Sequence, residues 1–174
     1  MRVAGALLSL DNTGMWTEII QADLGHPEHA DAVVALLDIY ARDEMGGGQA
    51  LPDYVRRNLV PELRKRPGVH VVLAYVGEEP AGLAICMEGF STFACEPLLN
   101  LHDIVVAPSH RGAGVSKQLM AEVERIARER GCCKITLEVL EGNAVAQSAY
   151  RRAGFEGYQL DPRMGRALFW QKKL

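Results

Sequence analysis

The chain lacks the features that mark several broad classes of protein. Its 174 residues carry a formal net charge of −3, and without a basic excess nothing in the charge favours nucleic acid as a partner. No apolar run approaches the ~20 residues that cross a membrane, so we expect no membrane partner. Residues 1–10 contain a single Arg and a short apolar stretch without a convincing cleavage site, so we predict no signal peptide.

Cysteine is scarce, and its spacing offers no metal site. The cysteines are Cys86, Cys95, Cys132 and Cys133, and none of them forms a C-x-x-C pair. The adjacent Cys132 and Cys133 have poor geometry for zinc. We therefore predict reduced thiols, a cytoplasmic location and no bound metal.

The remaining composition is that of a globular protein, with 48% hydrophobic and 24% charged residues. We predict a loose N-terminal leader over residues 1–14 and a single domain over residues 15–174. Periodicity and turn residues predict strands at 16–22, 69–76, 80–88, 98–106, 134–140 and 166–172, and helices at 27–44, 51–66, 112–130 and 143–153. This order favours an α/β (α+β) fold, in which a central mixed, mostly antiparallel sheet has helices on both faces.

The most informative stretch follows the fourth predicted strand, where a glycine turn leads into a long helix. Residues 111–116 read Arg-Gly-Ala-Gly-Val-Ser. The first backbone N–H groups of a helix bind anions, and Gly112 and Gly114 let the backbone approach a bulky one such as a pyrophosphate. P-loop spacing is absent, and Lys117 stands where a dinucleotide fingerprint needs its third glycine.

This loop resembles the Arg-Gly-x-Gly-x-Gly/Ala loop of the GNAT N-acetyltransferases, with Ser116 at the last position. The predicted order of strands and helices is also that of the GNAT fold. The resemblance implies that acetyl-coenzyme A is the cosubstrate. The pyrophosphate of this cosubstrate would lie on the loop, and the remainder of the molecule would lie along the preceding strand. The residues expected to bind it are therefore Ile104, Val105, Val106, Arg111, Gly112, Ala113, Gly114, Val115 and Ser116.

A second stretch resembles the other GNAT signature. Asn143 precedes a helix that carries Ala-Tyr-Arg-Arg-Ala-Gly-Phe at residues 149–155. Asn143 is a good N-cap residue, and the resemblance also places it beside the pantetheine arm. In the family, the tyrosine that matches Tyr150 points its hydroxyl at the coenzyme A sulfur, so Tyr150 is predicted to bind the cofactor and to protonate the leaving thiolate. Gly154 fits a helix C-terminus.

The chemistry that this resemblance implies needs no metal and no covalent intermediate. An attacking amine must first lose a proton, because an alkylammonium of pKa ~10.4 is protonated at neutral pH. His102 is the first candidate for the base, and Asp103 is a second candidate that can also bind a cationic amine. Glu138 is a third. The family's oxyanion donor is a backbone N–H, here around Val105. Simple alternation along the strand places Leu101, Asp103 and Val105 on one face.

Residues 89–106 resemble a narrower branch, the polyamine (diamine) and thialysine N-acetyltransferases. That branch has a Ser-Thr-Phe segment, here at residues 91–93, and an acidic pair before the core of the strand. His102 stands at the branch's glutamate base, followed by Asp103. Asp38, Asp43 and Glu44 are expected either to add negative potential for an amine or to end a solvated helix. Residues 46–48, Gly-Gly-Gly, predict a helix stop or a mobile substrate loop.

The sequence therefore predicts an acetyl-coenzyme A-dependent N-acetyltransferase that acts on a primary amine of a small, polyamine-like molecule by direct attack in a ternary complex. A homodimer is a further expectation. Two alternatives stay open. One is acetylation of a protein N-terminus, a lysine or an aminoglycoside, and the other is a non-catalytic acyl-coenzyme A-binding regulator that keeps the fold.

Overall fold

The computed structural model describes residues 7–10, 14 and 16–174. In chain order the strands are β1 (Leu7–Leu10), β2 (Trp16–Gln21), β3 (Val69–Val76), β4 (Glu79–Ser91), β5 (Glu96–Val106) and β6 (Ile135–Leu137). The helices are α1 (Pro27–Arg42), α2 (Asp53–Arg64), α3 (Val115–Glu129) and α4 (Ala144–Arg152). Short 3-10 turns span Glu44–Gly46, Pro108–His110 and Pro162–Met164.

The strands form one sheet in the order β1-β2-β3-β4-β5-β6. Neighbouring strands are antiparallel except β5 and β6, which are parallel. The mixed, mostly antiparallel sheet predicted from the sequence is confirmed. The chain forms two compact units, Met1–Leu137 and Glu138–Leu174, and the sheet belongs to the first.

Helices cover both faces of this sheet. On one face, buried side chains of α1 and α2 pack against β2–β5 in what we call the α1–α2 core cluster. Its members are Ile20, Ala32, Val33, Leu36, Val60, Leu63, Val71, Leu73, Leu83, Ile85, Val105 and Ala107. Successive residues of a strand point to opposite faces, so Gly82 faces away from the cluster member Leu83. A Cβ on Gly82 would lie 3.0 Å from side-chain atoms of Val115 and Leu119, which places α3 on the second face.

Most predicted elements are present, with shifted ends that have local causes. The predicted start of α3 at Gly112 is wrong, because Gly112 and Gly114 have φ of 82° and 90°, values that an α-helix excludes. Helix α1 ends at Arg42 rather than Glu44, because Asp43 leaves the helical region and its carboxylate accepts a hydrogen bond from the Met45 N–H. The Gly46–Gly48 run therefore begins inside the Glu44–Gly46 3-10 turn, with Gly47 as its C-cap, instead of directly stopping the helix.

Two predictions at the chain's ends are corrected. Leu7–Leu10 lies inside the predicted leader but forms β1, because its backbone pairs with β2. Most of the rest of residues 1–14 lies outside the described residues, and a single domain over 15–174 stays a prediction. The predicted strand at 166–172 is not formed. Among the described residues, this segment forms a backbone hydrogen bond from the Ala167 N–H to the Tyr158 carbonyl and pairs with no strand, whereas a strand needs a full ladder partner.

The four cysteines are free, as predicted. Cys86 is fully buried in β4, and burial raises the pKa of its thiol to about 12. It is therefore protonated at neutral pH and packs as a small apolar side chain.

Candidate functional site

The glycine loop between β5 and α3 presents backbone rather than side chains. Gly112 and Gly114 both have left-handed φ, and Gly114 is the N-cap of α3 without a side-chain cap. No acidic residue lies in the first turn of α3, so its positive dipole end is not compensated there. Ala113 and Val115 are buried and anchor the loop. This arrangement fits a phosphate-bearing group, as the sequence predicted.

Ser116 is the position at which the loop differs from the family pattern. Its side chain is half-buried, one residue into α3. Backbone N–H groups provide the anion site, and at helix position N2 the Ser116 N–H lacks an intrahelical acceptor whatever its side chain. The serine therefore leaves the backbone geometry of the loop intact.

Arg111 is held at the entrance of the loop by two contacts. Its Nε donates to the Val106 carbonyl at 3.3 Å, and its Nη2 donates to Asp43 Oδ2 at 3.0 Å. The side chain of Arg111 is 53% exposed. A guanidinium has five N–H donors, so these contacts leave donors available for a bound anion.

Strand β5 has one open edge beside the loop. Strand β6 pairs with β5 only at Leu99, Asn100 and Leu101, whereas β5 continues to Val106. Over the part of the chain that the structure describes, Ile104–Val106 pair only with β4. Alternate backbone groups of this segment therefore point to the open edge. An extended chain with amide groups, such as a pantetheine arm, can pair with them.

A β-bulge lies at the start of this open segment. Ile85 of β4 pairs with Asp103, and the next residue, Cys86, pairs with Leu101. His102 is therefore the extra residue of β5, and its side chain is exposed. An extra residue bends the strand and reverses the alternation of its side chains.

The predicted alternation along β5 is wrong for this reason. Val105 belongs to the α1–α2 core cluster, and Leu101 does not. Asp103 pairs with Ile85, a member of that cluster, so its carboxylate lies on the same face as α1 and α2. Leu101 lies on the α3 face. The sequence assigned all three positions to one face because a single inserted residue leaves no clear signal in the hydrophobic pattern.

Asp103 is a half-buried carboxylate on the α1–α2 side of the sheet. Burial raises its pKa, and the charge of neighbouring His102 opposes this. Among the described residues it has no recorded hydrogen bond or ion pair. A buried carboxylate without a partner is costly, and such groups mark sites that a cationic ligand completes.

Tyr40 of α1 lies on the same face of the sheet as this carboxylate. Tyr40 packs against the α1–α2 core cluster, and burial raises the pKa of its phenol, helped by the negative charges of Asp103 and Asp43. Helical periodicity alone marks Tyr40 only as a residue of the apolar face of α1. Its position at the end of α1, beside a run of glycines, was the available signal.

The acidic residues around the end of α1 are engaged in ion pairs. Asp38 accepts hydrogen bonds from Arg42, Arg56 and the Leu51 N–H. The Arg42 bond is the main cause that lowers its pKa. The Met45 N–H lowers the pKa of Asp43, and Arg111 lowers it further. Arginines therefore pair with both carboxylates and reduce the negative potential that Asp38 and Asp43 can offer an amine, which favours the alternative expectation, a solvated helix end.

The second unit carries the other predicted motif. Asn143 caps α4, since its Oδ1 accepts from the Ala146 N–H at 3.0 Å, and Gly154 ends the helix at a φ of +88°. Both local predictions are confirmed. Tyr150 is half-buried and contacts the Phe155 ring edge-on, with centroids 6.0 Å apart. Glu138 is exposed at the start of this unit.

Comparison with known proteins decides the family. A model described as the acetyltransferase (GNAT) family matches residues 33–155, more than half of the chain. The chain belongs to the GNAT acetyltransferase family. The match covers the glycine loop, the β5 bulge and α4, so the resemblance inferred from the sequence is confirmed, and the chain is an acyltransferase of this family.

Several relatives of this GNAT protein are acetyltransferases by name. The thialysine N-epsilon-acetyltransferase of Caenorhabditis elegans is 27% identical over 127 residues, covering 71% of this chain and 75% of that protein. The streptothricin acetyltransferase of Streptomyces lavendulae is 49% identical over 63 residues, 36% of this chain and 33% of that protein. The aminoglycoside N-acetyltransferase AAC(6')-Iy, solved in complex with CoA, has the same fold, with a TM-score of 0.69, 22% identity and 100% coverage of both chains.

Metal-binding clusters and membrane-spanning helices are both absent from the described residues. No group of three or more His, Cys, Asp or Glu side chains in that part of the GNAT chain is arranged to hold a metal ion. None of its described helices is long and apolar enough to cross a membrane.

Proposed function

We propose that this chain transfers the acetyl group of acetyl-coenzyme A to a primary amine of a small molecule, by direct attack in a ternary complex. One observation carries the proposal. A glycine loop suited to a pyrophosphate and the half-buried carboxylate of Asp103 lie at opposite ends of one short segment of β5. Among the described residues, that segment has an open edge and the carboxylate has no hydrogen-bond or ion-pair partner. The thialysine and streptothricin acetyltransferases among its relatives support an amine acceptor.

Two parts of the chain would hold the cosubstrate, the glycine loop with Arg111 and the open edge of β5. The N–H groups at Gly114 and Val115 and the guanidinium of Arg111 face the position of a pyrophosphate, and the open edge of Ile104–Val106 pairs with the amide groups of the pantetheine arm. The acetyl thioester supplies an activated carbonyl. A backbone N–H around Val105 is proposed to donate to the charge that develops on that carbonyl oxygen.

The amine side of the site is proposed to use the two residues at the bulge. The Asp103 carboxylate attracts the ammonium form of the amine, and the exposed His102 imidazole takes the proton that the amine must lose before attack. Asp103 itself and Glu138 are the alternative bases. Tyr150 is proposed to protonate the leaving thiolate, and Asn143, beyond capping α4, to bind the pantetheine arm.

Release of free thiol from acetyl-coenzyme A tests this proposal. The purified chain is assayed with thialysine, a linear diamine, streptothricin, an aminoglycoside and a lysine peptide, with the Asp103→Asn variant as the matched control. We expect amine-dependent release that is strongest for a small diamine or thialysine and at least tenfold weaker in the variant. Acetyl-coenzyme A binding without turnover of any amine would favour the regulator. Preference for the peptide or the aminoglycoside would assign a different acceptor.

A cytoplasmic location and a homodimer complete the proposal. The location is supported by free thiols in a chain without disulfides among its described residues. Sedimentation of the purified chain measures its assembly state.

A further inference from the structure

An ion pair joins two loops that lie far apart in sequence. Asp43 follows α1, and Arg111 opens the glycine loop 68 residues later. Their side chains meet at 3.0 Å, and Asp43 is the less exposed partner, at 27% against 53%. Isolated surface ion pairs contribute little to stability, about 0–1 kcal/mol. The significance of this pair therefore lies in the two loops that it connects.

Both partners are fixed at their other ends. Asp43 Oδ1 accepts from the Met45 N–H at 3.0 Å, which ties its carboxylate to the Glu44–Gly46 turn. The Arg111 guanidinium is bound to the Val106 carbonyl, which ties it to the end of β5. Neither charge can move without changing the backbone segment beside it. The pair is thus a bridge between the Glu44–Gly46 turn and the cofactor loop.

The Glu44–Gly46 turn is in turn pressed against Tyr40. A Cβ added to Gly46 would lie 1.9 Å from the Tyr40 carbonyl oxygen and 3.1 Å from its ring. Only glycine allows this approach, so a displacement of the turn also displaces Tyr40. Tyr40 packs on the α1–α2 core cluster, on the same face of the sheet as Asp103, and the negative charge of Asp103 contributes to the raised pKa of its phenol. Contacts therefore run without a gap from Arg111 through Asp43 and Gly46 to Tyr40.

We propose that Asp43 is a positioning residue that couples the cofactor loop to an amine subsite formed by Tyr40 and Asp103. This inference rests on the proposed function. It adds Tyr40 as the aromatic wall of the amine subsite and Asp43 as the residue that holds this wall in position. A protonated amine at the carboxylate also lies against the ring of Tyr40, a favourable arrangement for a cation. The subsite therefore favours amines that bind in the ammonium form, and the bound amine loses its proton there before attack.

Occupancy of the glycine loop strengthens this chain of contacts. A pyrophosphate on the backbone N–H groups fixes Gly112–Gly114 and with them the backbone of Arg111. Arg111 then holds Asp43 and the Glu44–Gly46 turn in place, which keeps Tyr40 in its position on the Asp103 face of the sheet. By linkage, the cosubstrate raises the affinity for the amine and the amine raises the affinity for the cosubstrate by the same factor.

Hydrogen exchange of the 43–49 backbone tests the coupling without turnover. Coenzyme A is the probe, and its dissociation constant is measured by calorimetry on the same samples. In the wild-type chain, coenzyme A should slow exchange in this segment. Asp43→Asn should abolish that protection while changing coenzyme A affinity less than about threefold, and Asp43→Glu should restore it. Glu62→Gln, which breaks two exposed ion pairs at the end of α2, with Lys65 and Arg66, is the matched control and should behave as wild type.

Steady-state kinetics of acetyl transfer provide a second test of this coupling. With a turned-over amine, Asp43→Asn should raise the KM for the amine about tenfold, a typical coupling factor, with kcat nearly unchanged. In an Arg111→Gln background the same substitution should have no further effect. Wild-type protection in Asp43→Asn, or an equal effect in both backgrounds, would overturn the coupling. If no amine is turned over, the proposed function fails, and the exchange measurement still decides the coupling.

Discussion

Asp103 pairs with Ile85 across the β4–β5 ladder, and this register places its carboxylate on the α1–α2 side of the sheet. Without the bulge at His102, Leu101 would share the face of Asp103 and Val105. The inserted residue therefore moves Leu101 to the α3 face and leaves Asp103 on the face on which Tyr40 packs, next to the open edge of β5. The amine side of the proposed site depends on this relationship.

The first prediction concerns the stability cost of Asp103. Its pKa is raised by burial, so the folded state binds its proton more tightly than the unfolded state. Its contribution to the free energy of unfolding therefore becomes more favourable as the pH falls through the folded pKa. Asp103→Asn should stabilise the chain by about 1 kcal/mol at pH 7 and lose that advantage near pH 4, while acetyl transfer falls. Urea unfolding at both pH values measures this, and equal destabilisation at both would contradict it.

The second prediction concerns the cofactor loop. Gly114→Glu puts a side chain on a residue with φ of 90° and a negative charge at an anion site. The dissociation constant of acetyl-coenzyme A should rise more than tenfold, or ~1.4 kcal/mol. Gly131→Glu is the matched control, because Gly131 has φ of 66° at the opposite end of α3. Calorimetry on folded samples that found equal affinities for both variants would refute the loop assignment.

The third prediction concerns Tyr150. Tyr150→Phe removes the hydroxyl and leaves the edge contact with Phe155, so the thermal midpoint should stay close to wild type. If the hydroxyl protonates the leaving thiolate, the single-turnover rate should fall ~10²-fold with similar acetyl-coenzyme A binding. Tyr54→Phe, at an exposed tyrosine of α2, should leave the rate unchanged. A wild-type rate in Tyr150→Phe would show that Tyr150 packs against Phe155 and does not protonate the thiolate.

The fourth prediction concerns the base. If the His102 imidazole accepts the amine proton, His102→Ala should lose most of the single-turnover rate, and His102→Glu should partly restore it. Rates measured on one amine at several pH values separate the loss of the base from protonation of the amine itself. A wild-type rate in His102→Ala would move the base to Asp103 or Glu138.

The fifth prediction concerns the contact between β4 and α3. A Cβ on Gly82 would approach Val115, Leu119 and the Val105 carbonyl within 3.2 Å. Gly82→Ala should therefore reduce the free energy of unfolding by about 1–3 kcal/mol through overpacking. Gly142→Ala, where nothing lies within 4 Å, is the control. Equal stability of the two variants in denaturant titrations would show that α3 lies farther from β4.

Local patterns predicted most of the fold. The glycine loop, the cap at Asn143 and the stop at Gly154 follow from backbone preferences of a few neighbouring residues, and the family resemblance follows from those motifs. Element ends shifted wherever one residue left the helical region, as at Asp43, or was excluded from it, as at Gly112.

Features that depend on distant residues could not be predicted. The bulge at His102 is a property of the β4–β5 pairing, and hydrophobic alternation alone does not show an inserted residue. The Asp43–Arg111 pair joins residues 68 apart, so Asp43 looked like a free acid at a helix end. The apolar residues at 166–172 have strand composition, but a strand also requires a ladder partner, which composition does not supply.

Mass spectrometry of the amine after incubation with acetyl-coenzyme A tests the central claim most directly. With thialysine or a linear diamine, the wild-type chain should give a product that carries one added acetyl group, in amounts equal to the thiol released. Asp103→Asn should give at least tenfold less at the same enzyme concentration. Thiol release without any acetylated amine, or an equal yield from wild type and Asp103→Asn, would contradict an amine acetyltransferase that binds its acceptor at this carboxylate.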